Sequence, residues 1–344
     1  MNAPINPTIG KPAGSEDAPA SLRTILLQHP LLRPVCALLV LLLLDAWLVP
    51  GFFRIEVKDG HLYGAVIDIL NRAAALMLAA LGMTLVIATR GIDISVGAVV
   101  ALCGTVAAML VGGAPGTPGT SLGVALAAAI GTALLCGLWN GVLVAAIKLQ
   151  PIVATLILMV AGRGLAQLLT DGQIVTVYDE SFFYLGSGYL AGLPVSLFVV
   201  GAVFALTLFL MKKTALGLFI QAVGINPVAA RLAGLRTATL VIFVYMFCSA
   251  CAGLAGLLVT SNIKSADANN AGLLLELDAI LAVTLGGTSL AGGRFTLAGS
   301  MVGALIIQTL TYTIYSLGVP PEVNMVVKSI VVFVVCISQS RRSA

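Results

Sequence analysis

The sequence predicts an all-α polytopic membrane protein with about ten transmembrane helices, and three observations carry that prediction. Hydrophobic residues make up 59% of the 344-residue chain and charged residues only 9%, where a soluble domain carries about a quarter charged residues. Mean hydropathy is +1.08. The apolar residues also gather into runs close to the length that crosses a bilayer. These runs lie near 31–50, 66–89, 94–112, 120–147, 151–170, 194–211, 237–260, 276–291, 296–317 and 323–339.

Ahead of the first run, residues 1–30 begin MNAPINPTIGKPAGSEDAPAS. This stretch is rich in Pro, Ala and Gly, has no hydrophobic period, and reads as a disordered cytoplasmic tail. No signal peptide is expected, because the first apolar run begins late and has spanning length. Span two opens on Asp68, Asn71 and Arg72, spaced to pair within one helical turn. Span eight is short and begins with Glu276 and Asp278, so it either starts further out, near Gly272, or is irregular. Residues 31–339 form the transmembrane domain, and 340–344 a short cytoplasmic tail. Lys and Arg number 18; they divide 12 to 3 between the two sides of a ten-span arrangement, with Arg72, Arg163 and Lys328 in or beside spans. Positive charge collects on the cytoplasmic side, which places both termini there.

Several chemistries are excluded. The six cysteines all lie in apolar runs, and Cys248-Ser-Ala-Cys251 has no second Cys or His pair near it; it reads as small-residue packing. His29 and His61 stand alone, so no histidine metal or catalytic site is expected. No phosphate-binding G-x-x-x-x-G-K-[ST] occurs. Nothing points to nucleic acid, and no cofactor is expected on this chain; any ATP and Mg would belong to an ATPase on another chain.

The longest polar interruption on the cytoplasmic side is 212–236, and it contains GINPVAARLAGLRT (224–237). Asn226 reads as a helix N-cap, Pro227 as the first helical position, and Gly234 as the stop. Ala229, Ala230 and Arg231 lie between. So short a helix either inserts into a groove on a partner protein or rests on lipid headgroups.

Gly91-Ile-Asp93-Ile-Ser95-Val-Gly97 joins spans two and three. Asp93 or Ser95 can cap span three, and Gly91 and Gly97 allow a tight turn with close packing; a substrate role for Asp93 is the alternative. Gly286-Gly287 and Gly292-Gly293 provide a similar turn between spans eight and nine. Asn71, Asn140, Thr155, Gln167 and Thr284 are polar positions within spans. They are candidates for a substrate pathway, or else interhelical hydrogen bonds. Gly137-x-x-x-Gly141 and Gly299-x-x-x-Gly303 fit close helix packing. The polar segment 261–276, with Asp267, Asn269, Asn270 and Glu276, is either a solvated outer loop or a contact for a soluble binding protein.

Four stretches together carry a resemblance: GMTLVIATRGIDISVGAVVAL (82–102), LQPIVATLILMVAGRGLAQ (149–167), GLFIQAVGINPVAARLAGL (217–235) and LDAILAVTLGGTSLAGGRF (277–295). In this order they resemble the permease subunits of bacterial ATP-binding-cassette importers for monosaccharides, the ribose/galactose/xylose group, and within it the galactofuranose-importing branch. The resemblance covers nearly the whole chain after residue 30. It implies an importer-permease fold and transport of galactofuranose or a related sugar, with ribose or xylose as alternatives. It also implies three kinds of partner: a separate ATPase, a second permease chain (identical or related), and an external sugar-binding protein. The family loop matching Gly224–Leu235 is the coupling helix that docks on the ATPase. Where the family usually has Gly-Gly-Ile-Asp, this chain has Arg90-Gly-Ile-Asp. Two rivals remain. A secondary transporter would rely on an intramembrane acid such as Asp45 or Asp68. A membrane transferase would need more interfacial acids than Asp179-Glu180.

Overall fold

A computed structural model describes residues 31–58, 60–112, 119–320, 323, 325–330 and 333. The expected tails, and most of the expected span at 323–339, lie outside these residues.

The chain begins with α1 (Leu32–Leu48), a hairpin of β1 (Glu56–Lys58) and β2 (His61–Tyr63), and α2 (Ala65–Ala88). It continues through α3 (Val96–Gly112), α4 (Leu122–Ala145), α5 (Pro151–Leu169), β3 (Val175–Thr176) and α6 (Glu180–Ser187). A second small hairpin, β4 (Tyr189–Leu190) and β5 (Leu193–Pro194), leads into α7 (Val195–Lys213), α8 (Leu216–Ile225) and α9 (Pro227–Leu232). Among the described residues there follow α10 (Thr237–Ile263), β6 (Ser265–Ala266), α11 (Leu275–Leu285) and α12 (Leu297–Ser316), with helical residues again at 323, 325–330 and 333.

Among the described residues, six helices are long and apolar enough to cross a membrane: α2, α4, α5, α7, α10 and α12. The centre of the bundle is α2, buried continuously from Ala73 to Ala88. It packs on α10 and α12, with α3 and α4 on the far side of α10. In a bilayer, buried helix contacts gain nothing from expelling water, so close backbone approach has to supply the attraction. Small residues make the seams. A Cβ on Gly82 would come 2.7 Å from Cys248 Cα, and one on Gly141 would come 2.7 Å from Ile242 Cα. A Cβ on Gly303 would overlap the Ala282 carbonyl. The outward faces carry large apolar residues such as Leu43, Trp47, Leu135, Val160 and Phe209, as lipid contact requires.

Two expectations about elements change and a third is decided. The run at 276–291 takes the irregular form and does not make a full span from near Gly272. Helix α11 has 11 residues, about 16 Å, or half the hydrocarbon thickness. It is followed by a turn in which Gly287, Gly292 and Gly293 all have positive φ, of 87, 82 and 86°. Hydropathy counts those glycines as neutral, but their backbone ends the helix. The 212–236 interval is not a loop with one helix: α7 runs to Lys213 and α8 fills most of the space before α9. The 261–276 segment is not a free outer loop either, since α10 extends to Ile263 and β6 pairs with β3 through Val175–Ala266 and Thr176–Ser265.

Candidate functional site

Two sites are built from the sequence-predicted residues. The first is the exposed helix α9. The Asn226 side chain accepts from the backbone N–H groups of Val228 and Ala229, both at 3.0 Å, and Pro227 occupies the first helical turn. At the other end Gly234 has φ 87°. Its N–H donates to the Arg231 carbonyl at 3.0 Å, and Leu235 N–H donates to the Ala230 carbonyl at 3.1 Å. This is the paired closure that a left-handed residue after a helix makes possible. Ala230 is only 5% exposed and pins the helix to the body, whereas Val228 (66%) and Leu232 (85%) stand out from it. Ala229 is exposed beside them. Arg231 is exposed too, with its guanidinium 3.4 Å from Thr237 Oγ1, so the outward face is apolar with one cation. Val228 was missing from the sequence-derived helix face; its i, i+4 spacing to Leu232 was the available signal. Gly224 is buried, and a Cβ there would overlap the Ala88 carbonyl and sit 2.5 Å from Gly293 N.

The second site is a buried polar layer. After α2 the chain turns back into the bundle, and Asp93, Ser95, Asn140 and Thr155 are all fully buried. Asp93 Oδ1 accepts from Ser95 N–H at 2.9 Å and from the Ser95 hydroxyl at 2.6 Å. Asn140 donates to Ser95 Oγ at 2.9 Å and reaches Asp93 Oδ1 at 3.4 Å. Thr155 Oγ1 accepts from Ile94 N–H at 3.2 Å. Gly91 and Gly97 do not supply the positive-φ turn; Arg90 does, at φ 65°. Their lack of a side chain serves close packing instead. A Cβ on Gly91 would come 2.6 Å from Tyr245 Oη, and one on Gly97 would overlap Glu276 Oε2 and the Gly272 carbonyl. The N-termini of α3 and α11 therefore meet inside the bundle. Buried atoms without a hydrogen-bond partner include Asn140 Oδ1, Tyr245 Oη and Ser249 Oγ, while the Asp93 carboxyl also faces Cys248 and the Glu276 carboxyl the Gly97 backbone. Buried polar atoms of this kind suit hydroxyl-bearing molecules or water.

The other sequence-predicted positions separate. Gln167 donates to Asn269 Oδ1 at 2.7 Å. Arg163, which was read only as an embedded cation, donates to the carbonyls of Ala271 at 2.6 Å and Ala268 at 3.1 Å and so fixes the segment that carries Asn269 and Asn270. Asp267 caps that turn, accepting from the N–H groups of Asn269 and Asn270. Burial by itself would raise its carboxyl, but bonds from Asn270 and Asn269, with Arg163 nearby, hold it below the usual range. Glu276 is 3% exposed and offers no surface to a soluble partner, unlike the exposed Asn269 and Asn270. Asn71 accepts from the Ser196 hydroxyl on α7, and Thr284 bonds the Leu281 carbonyl. Gly286 lies so close to Gly299 that neither can carry a side chain. Of the two acids a secondary transporter would use, Asp45 accepts from Thr313 at 2.5 Å and Asp68 pairs with Arg72 at 2.9 Å. Among the described residues no His, Cys, Asp or Glu cluster could hold a metal.

Spanning helices, interrupted helices meeting at a buried polar layer, and a capped surface helix are the architecture of a multi-pass membrane permease, and the family match agrees. The chain belongs to the family of branched-chain amino acid transport system permease components, which matches residues 65–336. It is 56% identical over 309 residues to the galactofuranose transporter permease protein YtfT of Escherichia coli, covering 89% of this chain and 88% of that one. It is 38% identical to the fructose import permease FruF of Bifidobacterium longum, over 82% and 79% of the two chains. It is 37% identical to the ribose import permease RbsC of Escherichia coli, over 90% and 94%. No solved structure matches.

Proposed function

We propose that the chain is the transmembrane permease subunit of an ATP-binding-cassette importer in the bacterial inner membrane, with both termini cytoplasmic, and that it carries a monosaccharide, galactofuranose first. The observation that carries the substrate class is the 56% identity to a galactofuranose transporter permease across most of both chains, supported by sugar permeases at 38% and 37%. Energy comes from a separate ATPase that receives α9. A second permease completes the pathway, and an external binding protein delivers the sugar. The apolar outward face of α9, closed at both ends, supports the docking role because a firm apolar ridge suits a protein groove.

Reconstitution tests this reading. With ATPase, second permease and binding protein, liposomes should accumulate galactofuranose in an ATP-dependent, vanadate-sensitive way; the purified chain alone should neither hydrolyse ATP nor concentrate sugar. Accumulation by this chain alone would sink the proposal. Within the assembled transporter, Ala230→Pro should abolish uptake at normal abundance, because it removes a backbone donor and clashes with the preceding turn. For orientation, cysteines at Ser15 and Ser343 in a background without native cysteines should resist impermeant thiol reagents, and one at Asn269 should react.

A further inference from the structure

Three segments meet at the base of α9: the end of α2 (Ala88–Arg90), the end of α8 (Gly224–Ile225) and the turn before α12 (Gly292–Gly293). Gly293 N–H donates to the Ala88 carbonyl at 2.9 Å. A side chain on Gly224 would overlap that same carbonyl. Arg90 is the only residue at this junction with a long polar side chain, and its backbone takes the left-handed conformation at φ 65°, which glycine adopts freely and other residues disfavour. Its guanidinium Nη2 donates to the Ile225 carbonyl at 2.6 Å. That carbonyl is the last of α8, at the end where carbonyls lack helical partners and a cation is favoured. The next residue is Asn226, the cap of α9. The Arg90 stem lies against Gly292, where an added Cβ would come 2.5 Å from Arg90 Cγ. On its other side Arg90 leads within three residues to Asp93 and the buried polar layer.

We infer that Arg90 is a positioning residue that transmits displacement of the α8–α9 unit to the 91–95 segment. The side chain grips the carbonyl next to the helix cap, and its own backbone begins the turn into the polar layer. A movement of α8–α9 is thereby carried to the start of α3 through one side chain and one short run of backbone. The inference rests on the coupling role proposed above for Gly224–Gly234, but it concerns what happens inward of the docking surface.

The experiment uses the complete transporter in liposomes and measures ATP hydrolysis, sugar uptake and ATPase co-purification together. Arg90→Gly suits the backbone at φ 65° and installs the residue the family usually carries, so folding strain does not explain a defect and a defect reports a link particular to this chain. The expected result is normal abundance and co-purification, sustained hydrolysis, and a fall of about five-fold or more in sugar moved per ATP. Arg90→Lys, which keeps a cation able to reach the carbonyl, should recover part of that ratio, and Arg90→Gln less. An unchanged ratio in Arg90→Gly overturns the inference, as does loss of co-purification, which would place Arg90 in docking instead. Ala230→Pro separates the two readings. Wild-type uptake there removes the coupling role itself, whereas loss of uptake there beside an unchanged ratio in Arg90→Gly removes only the transmission role.

Discussion

Helix α9 and the buried polar layer around Asp93 are built in opposite ways. Everything that holds α9 in shape lies within a dozen residues: Asn226 at one end, Gly234 at the other, and Ala230 turned inward. The polar layer takes Asp93 and Ser95 from the turn after α2, Asn140 from α4 and Thr155 from α5. One region is a local structure attached to the bundle, and the other exists only when distant helices have packed. Damage to the first should therefore stay local, while damage to the second should reach global stability.

Three substitutions sharpen or break this contrast. The largest effect is expected at the junction between the regions. Gly224→Ala places a methyl onto the Ala88 carbonyl, and overpacking against backbone costs about 3 kcal/mol. Membrane abundance and thermal stability of the detergent-solubilised protein should both fall sharply. Asn140→Ala comes next. It withdraws the donor to Ser95 and Asp93 in a fully buried site, at a cost of about 1–3 kcal/mol for the groups left unpaired. Its melting temperature should drop measurably although no residue of α9 is touched. Asn226→Ala is the smallest, since loss of the exposed cap costs about 1 kcal/mol. Uptake should fall while the global melt stays near wild type. A melting shift for Asn226→Ala as large as that for Asn140→Ala would show that α9 is not independent, and the contrast would fail.

The same contrast explains what could be read in the sequence. Asn-Pro followed by Gly234 spells out a capped helix, because caps are made by neighbours in the chain. The apolar runs at 66–89, 120–147, 151–170, 194–211, 237–260 and 296–317 became long helices for an equally local reason: in lipid each must satisfy its backbone internally. The layer was legible only in part. Asp93 as a cap to Ser95 follows from two-residue spacing, but its link to Asn140 spans 47 positions and leaves no pattern in one sequence. Arg163 shows a further limit. It looked like a stray cation in a span, and its partners are main-chain carbonyls, which no residue type announces. Glu276 looked exposed because it closes a segment whose earlier residues, Asp267 to Asn270, are polar, yet it sits among leucines and is buried against Gly97 from another helix. The half-length of α11 was obscured because hydropathy does not register left-handed glycines.

The closure of α9 at both ends also bears on how a transporter is assembled from separately made chains. Six residues have no helical stability of their own in water, so a segment of this length would normally take shape only on its partner and would bear the ordering cost at that moment. Here the caps and the buried Ala230 have met that cost inside the permease. On the docking role proposed for α9, a cytosolic subunit approaching the membrane would find a finished surface, and capture would then depend on encounter and orientation rather than on a folding step. On that role, permease and partner could be synthesised at different times and in unequal amounts, and a subunit lost to turnover could be replaced without refolding the one left in the membrane.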